Sequence, residues 1–218
     1  MRTRLLITLT ASLLVLFTKV VAQSTPPCAS NSMNIFKVTP QPGELLIDYY
    51  DSNFTPQKCS FKFTLKENVY SNRTRIGRPI FSIITVPFKV REAQDNKPQF
   101  VSTGVKNAGI NIGLLNWKTD RYFANQTVST HKLSFGAIIA PSGEELNIDN
   151  TDGQIVTKST QLFISAGLTA TYTYNAISFV AIPIGYDFAT TSDGRKWMYN
   201  QKWWWGFGIG IDTKLLGF

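Results

Sequence analysis

The chain has 218 residues, with 22 Lys and Arg against 14 Asp and Glu, one His and two Cys. The basic residues are scattered without a dense run, so the weak positive charge does not indicate nucleic-acid binding, and no nucleic-acid partner is expected. No cluster of Cys and His has the spacing of a metal site, and we expect neither a metal nor another cofactor.

Residues 1–22 predict a secretory signal peptide. Arg2 and Arg4 precede an apolar run at 5–17, and small residues before Gln23 fit cleavage after Ala22. A signal anchor is the alternative, but the run is shorter than the roughly 20 apolar residues of a membrane-spanning helix. Removing the peptide leaves 19 basic against 14 acidic residues, a net charge of about +5.

Residues 23–43 form a polar leader in which a short strand at 34–39 is expected. Cys28 lies in this leader, and Cys59 lies in a predicted strand. Because an even pair of cysteines in an oxidising compartment can close a disulfide, we expect Cys28 to bond with Cys59. Two unpaired thiols are the alternative.

Beyond the leader, apolar and polar residues alternate in eight segments, and this period of two predicts strands with two different faces. We expect polar connections at 71–75, 91–101, 117–130, 141–159 and 189–202, and a tight turn at Asn175. The eight predicted strands are 44–51, 58–68, 79–90, 102–116, 131–140, 160–174, 176–188 and 203–215.

The strand at 203–215 shows the pattern most clearly. Its odd positions include Trp203, Ile209 and Ile211, whereas its even positions include Gly208 and Gly210. One apolar face and one face of small or polar residues are typical of a strand that faces lipid on one side and a barrel interior on the other.

Other strands repeat this division, with one interruption expected. In the strand at 160–174, the even positions from Leu162 to Tyr174 are assigned to an apolar outer face. In the strand at 176–188, Val180, Ile182 and Ile184 are assigned to the same outer face. Phe179 is then an inward residue. Pro87 cannot donate to a strand ladder, so a bulge is expected there.

These patterns predict an all-β protein in which residues 44–218 form a closed antiparallel up-and-down transmembrane β-barrel. The expected number of strands is about eight, and any number from eight to ten is compatible with the patterns. Short turns lie on the periplasmic side of such barrels and long loops lie outside, which places 23–43 in the periplasm and 141–159 outside. Aromatic residues then form two girdles. A secreted β-sandwich is the alternative, with these aromatic residues in its core.

The segment 185–210 contains a Gly-Tyr-Asp strand, a Trp-Met-Tyr loop and a final strand Trp-Gly-Phe-Gly-Ile-Gly. This segment, together with Ile84–Lys89, resembles a group of small outer-membrane barrels from Bacteroidota. The resemblance implies a barrel in the outer membrane of a Gram-negative bacterium and implies no particular chemistry. The terminal Phe218 is similar to the final aromatic residue that barrel-assembly machinery recognises, which makes that machinery an expected partner during biogenesis.

Three groups of residues are candidates for function. His131, the only histidine, could act as a catalytic base with a serine such as Ser165, although an ordinary polar residue is the simpler interpretation. The second group is inward and polar, and the third lies in the last outer loop, where it could bind a protein, a glycan or lipid. The inward group is Asp187, Asp212 and Lys214, and the loop group is Arg195, Lys196, Trp197, Tyr199 and Lys202.

The inward glycines can be interpreted in two ways: they make room for large inward side chains, or they open a pocket. We therefore expect a non-enzymatic outer-membrane barrel with a structural, surface-interaction or accessory role, surrounded by outer-membrane lipids. A narrow transporter or ligand-holding barrel is the alternative, and a lipid-modifying enzyme that uses His131 is a third hypothesis.

Overall fold

The computed structural model describes residues 34–51, 53–62, 69–93, 100–103 and 108–212. The predicted signal peptide, Cys28, Lys214 and Phe218 lie outside these residues. The described chain is all-β, with antiparallel strands and one short 3-10 helix at Gly194–Lys196. The strands are β1 (Asn34–Gln41), β2 (Glu44–Tyr50), β3 (Pro56–Lys62), β4 (Val69–Ile76), β5 (Ile80–Arg91), β6 (Phe100–Thr103), β7 (Ala108–Phe123), β8 (Val128–Leu146), β9 (Ser159–Tyr174), β10 (Ile177–Ala189) and β11 (Trp203–Asp212).

The first compact unit comprises residues up to Ser71 together with Arg121–Val128. In it, β1, β2 and β3 form a three-stranded antiparallel sheet, so the expected short strand at 34–39 exists. The expectation that the strands at 44–51 and 58–68 belong to the barrel is wrong, because β2 pairs with β1 and β3 instead. One face of this unit buries Leu45, Ile47, Phe61, Tyr70 and Tyr122 in a shared cluster.

The second unit contains a closed ring of six strands: β5, β7, β8, β9, β10 and β11. The ring closes because β5 pairs with β11 along one side and with β7 at Ile80–Thr85 along the other. β6 pairs with the second half of β5, and β4, which replaces the polar loop expected at 71–75, is a neighbour of β7. The number of strands in the ring is therefore six and not about eight.

Short turns lie at one end of the ring and long connections lie at the other. At the end called the turn end, β9 and β10 are joined at Asn175, whose φ is 53°. The turn 124–127 that joins β7 to β8 belongs to the first unit. At the loop end, 147–158 joins β8 to β9 and 190–202 joins β10 to β11. The long connection expected at 117–130 is instead a tight turn, because β7 and β8 extend into it.

The faces of the ring carry opposite residue types. Ile209 and Ile211 are about half exposed on the outer face, while Gly208 and Gly210 are buried on the inner face, as expected. The same division holds for β9, in which Leu162, Ile164 and Leu168 are exposed. The buried inner face includes many polar and charged residues: Ser82, Lys89, Arg91, Asn111, Lys132, Ser134, Ser142, Glu144, Ser165, Thr169, Thr171, Thr173, Ser178, Asp187 and Asp212.

Two prolines mark places where a strand changes its inward face. The register of β11 against β5 shifts beside Pro87, which confirms the expected bulge and turns Phe88 outward after Val86 faces inward. The register of β10 shifts in the same way beside Pro183. Because the alternation restarts there, Val180 and Ile182 are buried and Phe179 is exposed, opposite to the expected assignment.

Inward glycines let the walls of this narrow ring approach each other. A Cβ at Gly136 would lie 1.8 Å from the carbonyl oxygen of Ile112, and one at Gly185 would lie 2.4 Å from the ring of Trp204. An eight-stranded ring has an interior just wide enough for side chains, and six strands enclose less. The glycines therefore make room for packing rather than for a ligand.

Gly136→Val should prevent the β7–β8 pairing from closing normally, because its Cβ would overlap backbone that cannot move aside. We expect loss of the folded form in SDS gels of unheated samples. Gly143→Val is the matched control on β8, since a Cβ at Gly143 meets only Thr160, at 3.7 Å. Equal folding of both variants would contradict the tight contact at Gly136.

Cys59 is half-buried in β3, whereas Cys28 lies outside the described residues. The disulfide between them therefore stays a prediction. Exported protein that has not been reduced should resist alkylation at both cysteines, and mass spectrometry of peptides can measure this. Alkylation of both residues without a reductant would contradict the bond.

Candidate functional site

The inner face of the ring holds a buried charge network formed by Lys89 and Arg91 of β5, Glu144 of β8 and Asp187 of β10. Lys89 Nζ donates to Asp187 Oδ1 at 3.0 Å, while Arg91 Nη2 donates to Asp187 Oδ2 at 2.5 Å and to Glu144 Oε1 at 2.8 Å. The side chains of Lys89, Arg91 and Asp187 are 0% exposed. The bulge at Pro87 turns both cations inward.

Two serines and two tryptophans complete the surroundings of the charge network. Lys89 Nζ also donates to Ser165 Oγ at 2.7 Å and to Ser142 Oγ at 3.1 Å. Its ammonium lies 4.6 Å from the ring centroid of Trp204, and the Arg91 guanidinium lies 4.6 Å from that of Trp197. Such cation–π contacts stabilise desolvated cations.

The charge network contains two cations and two carboxylates, so its formal charge balances. A buried ion pair must compensate the cost of desolvation with good geometry and further hydrogen bonds, and this network has both. It ties β5 to β8, β9 and β10 across the interior. The arrangement is that of an internal brace, in which Lys89 and Arg91 pair with Asp187, and Arg91 also pairs with Glu144.

An apolar layer lies next to the charge network on the side of the turn end. On β5 and β10, the inward residues run from the loop end as charged, then apolar, then polar. On β8, Glu144 and Ser142 likewise precede the apolar residues. The apolar layer consists of Ile84, Val86, Ile138, Ala140, Val180, Ile182 and Trp204, each at most 2% exposed. The interior is therefore filled with side chains at this level.

A second apolar cluster, the loop-end plug, lies at the other side of the charge network. It consists of Leu146, Ile155, Phe163, Trp197 and Tyr199. The two long loops are joined there, since Met198 N donates to Asn150 O at 3.0 Å. Burial raises the pKa of the Tyr199 phenol, and the nearby positive charge of Arg91 offsets part of this rise. The phenol is therefore neutral at neutral pH.

The predicted inward group does not form one cluster. Asp187 is buried as expected and pairs with Lys89 and Arg91. Asp212 is also buried, but it lies at the turn end and forms an ion pair with Lys132. Lys214 lies outside the described residues. The sequence therefore predicted that both carboxylates lie on the inner face, and it did not predict the lysines and the arginine that pair with them.

The predicted outer-loop group divides into buried and exposed residues. Trp197 and Tyr199 are 3% exposed and belong to the loop-end plug, so they do not present an interaction surface. Lys196 pairs with Asp193 at 2.6 Å, while Arg195 and Lys202 are exposed. Only the basic members of the group remain candidates for contact with a partner.

His131 lies at the turn end among aromatic residues. Its Nε2 is 3.1 Å from Ser129 Oγ, and its Nδ1 is 2.6 Å from Tyr172 Oη. Ser165, the serine considered from the sequence, is buried on the inner face. A phenol takes the place that a carboxylate holds beside the histidine of hydrolytic triads, and Ser129 is 6% exposed. This geometry does not favour catalysis by His131.

Among the described residues, no group of three or more His, Cys, Asp and Glu could hold a metal ion. The described part of the chain also contains no helix that is long and apolar enough to cross a membrane. Comparison of the chain with protein-family models, with curated proteins and with solved structures finds no match.

Proposed function

We propose that the chain is an integral outer-membrane β-barrel protein whose membrane-spanning part is the ring of six strands, exported by the signal peptide at 1–22. The observation that carries this proposal is the inverted distribution of residues on the ring. Charged and hydroxyl side chains are buried inside, while large apolar side chains are exposed outside. Water favours the opposite distribution, and lipid favours this one.

The exposed apolar surface is too extensive for an ordinary soluble protein. Twenty large apolar residues of the ring are at least 38% exposed, and they occur on all six strands. The largest apolar patch of a soluble monomer is roughly 300–600 Å². The residues are Phe81, Ile83, Phe88, Ile110, Leu114, Leu115, Phe135, Ile139, Leu162, Ile164, Leu168, Tyr174, Ile177, Phe179, Ile184, Tyr186, Phe188, Phe207, Ile209 and Ile211. We call this surface the apolar belt.

The height of the apolar belt fits a bilayer. On β10 it runs from Ile177 to Phe188, which at about 3.3 Å per residue is roughly 36 Å along the strand. A strand tilt of about 40°, usual for membrane barrels, reduces this to a height of roughly 28 Å, close to the ~25 Å apolar band of such barrels. Tyr174 at the turn end and Tyr186 and Trp203 at the loop end lie where aromatic girdles are expected.

The filled interior supports a structural, surface-interaction or accessory role over transport. The apolar layer, the balanced charge network and the loop-end plug follow one another across the ring, leaving side chains where a solute would pass. A narrow transporter or ligand-holding barrel would need this packing to open. A lipid-modifying role for His131 has no support from its geometry. We infer that the protein acts without catalysis, through its exposed loops.

Fractionation of membranes from cells that make the native protein tests this proposal. The protein should remain in the outer-membrane pellet after extraction with alkaline carbonate, and it should give no conductance when reconstituted in planar bilayers. Recovery in the soluble periplasmic fraction would contradict a membrane barrel. Stable single-channel currents would contradict the filled interior and favour the transporter.

A further inference from the structure

Three arginines lie close together in sequence at the turn end of the second unit. Arg73 and Arg75 are on β4, and Arg78 lies two residues before β5. All three are exposed. Because alternate residues of a strand share a face, Arg73 and Arg75 project from the same side, with backbones about 6.6 Å apart. We call these residues the arginine surface.

Among the described residues, no carboxylate neutralises the arginine surface. Between Glu67 and Glu92 the sequence contains five basic residues and no acidic one. Asp120, on the neighbouring strand β7, is occupied by Lys118 at 2.6 Å and Thr130 at 2.7 Å. Within the described residues, Arg73, Arg75 and Arg78 form no ion pair.

The arginine surface adjoins the margin of the apolar belt. The carbonyl oxygen of Arg78 accepts a hydrogen bond from Asn116 Nδ2 at 2.9 Å, which fixes this backbone beside β7. Phe81, three residues further along, is already 49% exposed in the belt. Trp117 packs edge-on against Phe135 of β8.

We propose that the arginine surface binds the phosphate headgroups of anionic phospholipids in the leaflet at the turn end. This inference rests on the proposed membrane location, which brings the surface to the depth of the headgroups. A guanidinium presents a planar fork of donors that matches phosphate oxygens, so arginine is suited to this partner. Anionic lipid surfaces attract basic residues that lie just beyond the apolar margin.

The loop end provides a matched comparison, because its basic residues are partly neutralised. Lys158 pairs with Glu145 at 3.1 Å, and Lys196 pairs with Asp193. Arg195 and Lys202 are exposed, and Asp193 and Asp149 lie in the same loops. Removing three loop-end charges therefore changes the net charge equally without touching the arginine surface.

The test compares the full mature protein with two triple variants in vesicles of equal parts phosphatidylcholine and phosphatidylglycerol. The first variant is Arg73→Gln, Arg75→Gln, Arg78→Gln, and the control is Lys158→Gln, Arg195→Gln, Lys202→Gln. Native mass spectrometry measures phosphatidylglycerol and phosphatidylcholine retained by each protein. We expect the wild type and the control to retain phosphatidylglycerol preferentially. Each arginine lost should reduce this preference roughly fivefold, the factor of a basic residue near an anionic membrane.

Two different failures can be told apart. If the wild type inserts into vesicles but shows no preference for phosphatidylglycerol, or if the arginine variant keeps the preference, the inference is wrong and the membrane location stands. If the wild type does not insert into vesicles of either lipid, the proposed function itself fails. Insertion of the arginine variant into pure phosphatidylcholine at the wild-type level shows that it folds, which keeps its loss of preference interpretable.

Discussion

Asp187→Asn should destabilise the protein by about 3–5 kcal/mol, the range observed when one partner of a buried ion pair is removed. The Asp187 carboxylate accepts from Lys89, Arg91 and Ser165 at 2.5–3.0 Å, and the two cations are fully buried. An amide cannot neutralise them, and Glu144 alone would face two positive charges. Urea unfolding of the protein refolded in detergent or lipid measures the change.

Asp193→Asn is the matched control for this prediction. Asp193 also pairs with a lysine, Lys196, but the two side chains are 51% and 37% exposed. An exposed pair of this kind contributes about 0–1 kcal/mol, so the control should unfold close to wild type. Similar unfolding of Asp187→Asn and Asp193→Asn would show that the charge network does not brace the ring.

Ile209→Arg should destabilise or block assembly of the ring by roughly 2–4 kcal/mol if the apolar belt faces lipid, the cost of a basic residue near the midplane of a bilayer. Ile209 is 50% exposed on the outer face of β11. In a water-soluble β-protein the same change at an exposed position would usually stay within about 0.5 kcal/mol. The size of the effect therefore reports which solvent surrounds the belt.

Trp203→Arg is the control on the same face of the same strand. Trp203 lies at the loop end and pairs with Tyr186. If the apolar belt faces lipid, an arginine there reaches the interface, where the cost is roughly 0–1 kcal/mol. Folding yield in lipid vesicles should follow the order wild type, Trp203→Arg, Ile209→Arg. A folding yield for Ile209→Arg equal to that of Trp203→Arg would contradict the predicted depth of Ile209.

The sequence predicted the faces of most ring strands because alternation directly reports them. Leu162 and Ile164 on β9, and Ile209 and Ile211 on β11, lie on the face that period two assigns. The short turn at Asn175 and the long loop-end connections were also predicted, since turn residues mark them. These features depend on local order along the chain, which a single sequence contains.

The faces beyond a bulge could not be predicted from alternation alone. Pro87 was recognised as a bulge, yet its consequence, the burial of Lys89 and Arg91, requires counting the phase anew after it. Pro183 gave the same signal on β10, and overlooking it placed Val180 and Ile182 on the wrong face. A proline inside a strand that also carries alternating charges is the signal that would have found the charge network.

Contacts between segments that are distant in the chain could not be predicted from the sequence. β2 alternates as a barrel strand does, and only pairing with β1 and β3 shows that it belongs to a separate sheet. Trp197 and Tyr199 look like residues of an exposed loop, but they pack with Phe163 and Leu146 in the loop-end plug. Alternation states that a face is apolar and does not state what covers it.

Labelling at two neighbouring residues of β10 can show whether the outer face of the ring contacts lipid. Phe179 is 52% exposed on the outer face, and Ser178 is fully buried on the inner face, where it hydrogen-bonds Thr173 at 2.8 Å. Ser178 suits this comparison better than Gly208, at which a Cβ would lie 2.8 Å from a carbonyl oxygen.

The measurement uses Phe179→Cys and Ser178→Cys, each in a background with Cys28→Ser and Cys59→Ser, in intact outer membranes. We predict that the cysteine at 179 reacts with a lipid-confined thiol reagent and is protected from a water-soluble one, while the cysteine at 178 does not react with the lipid-confined reagent. Reaction of the cysteine at 179 with the water-soluble reagent, at the rate of an exposed thiol, would contradict contact between the outer face and lipid.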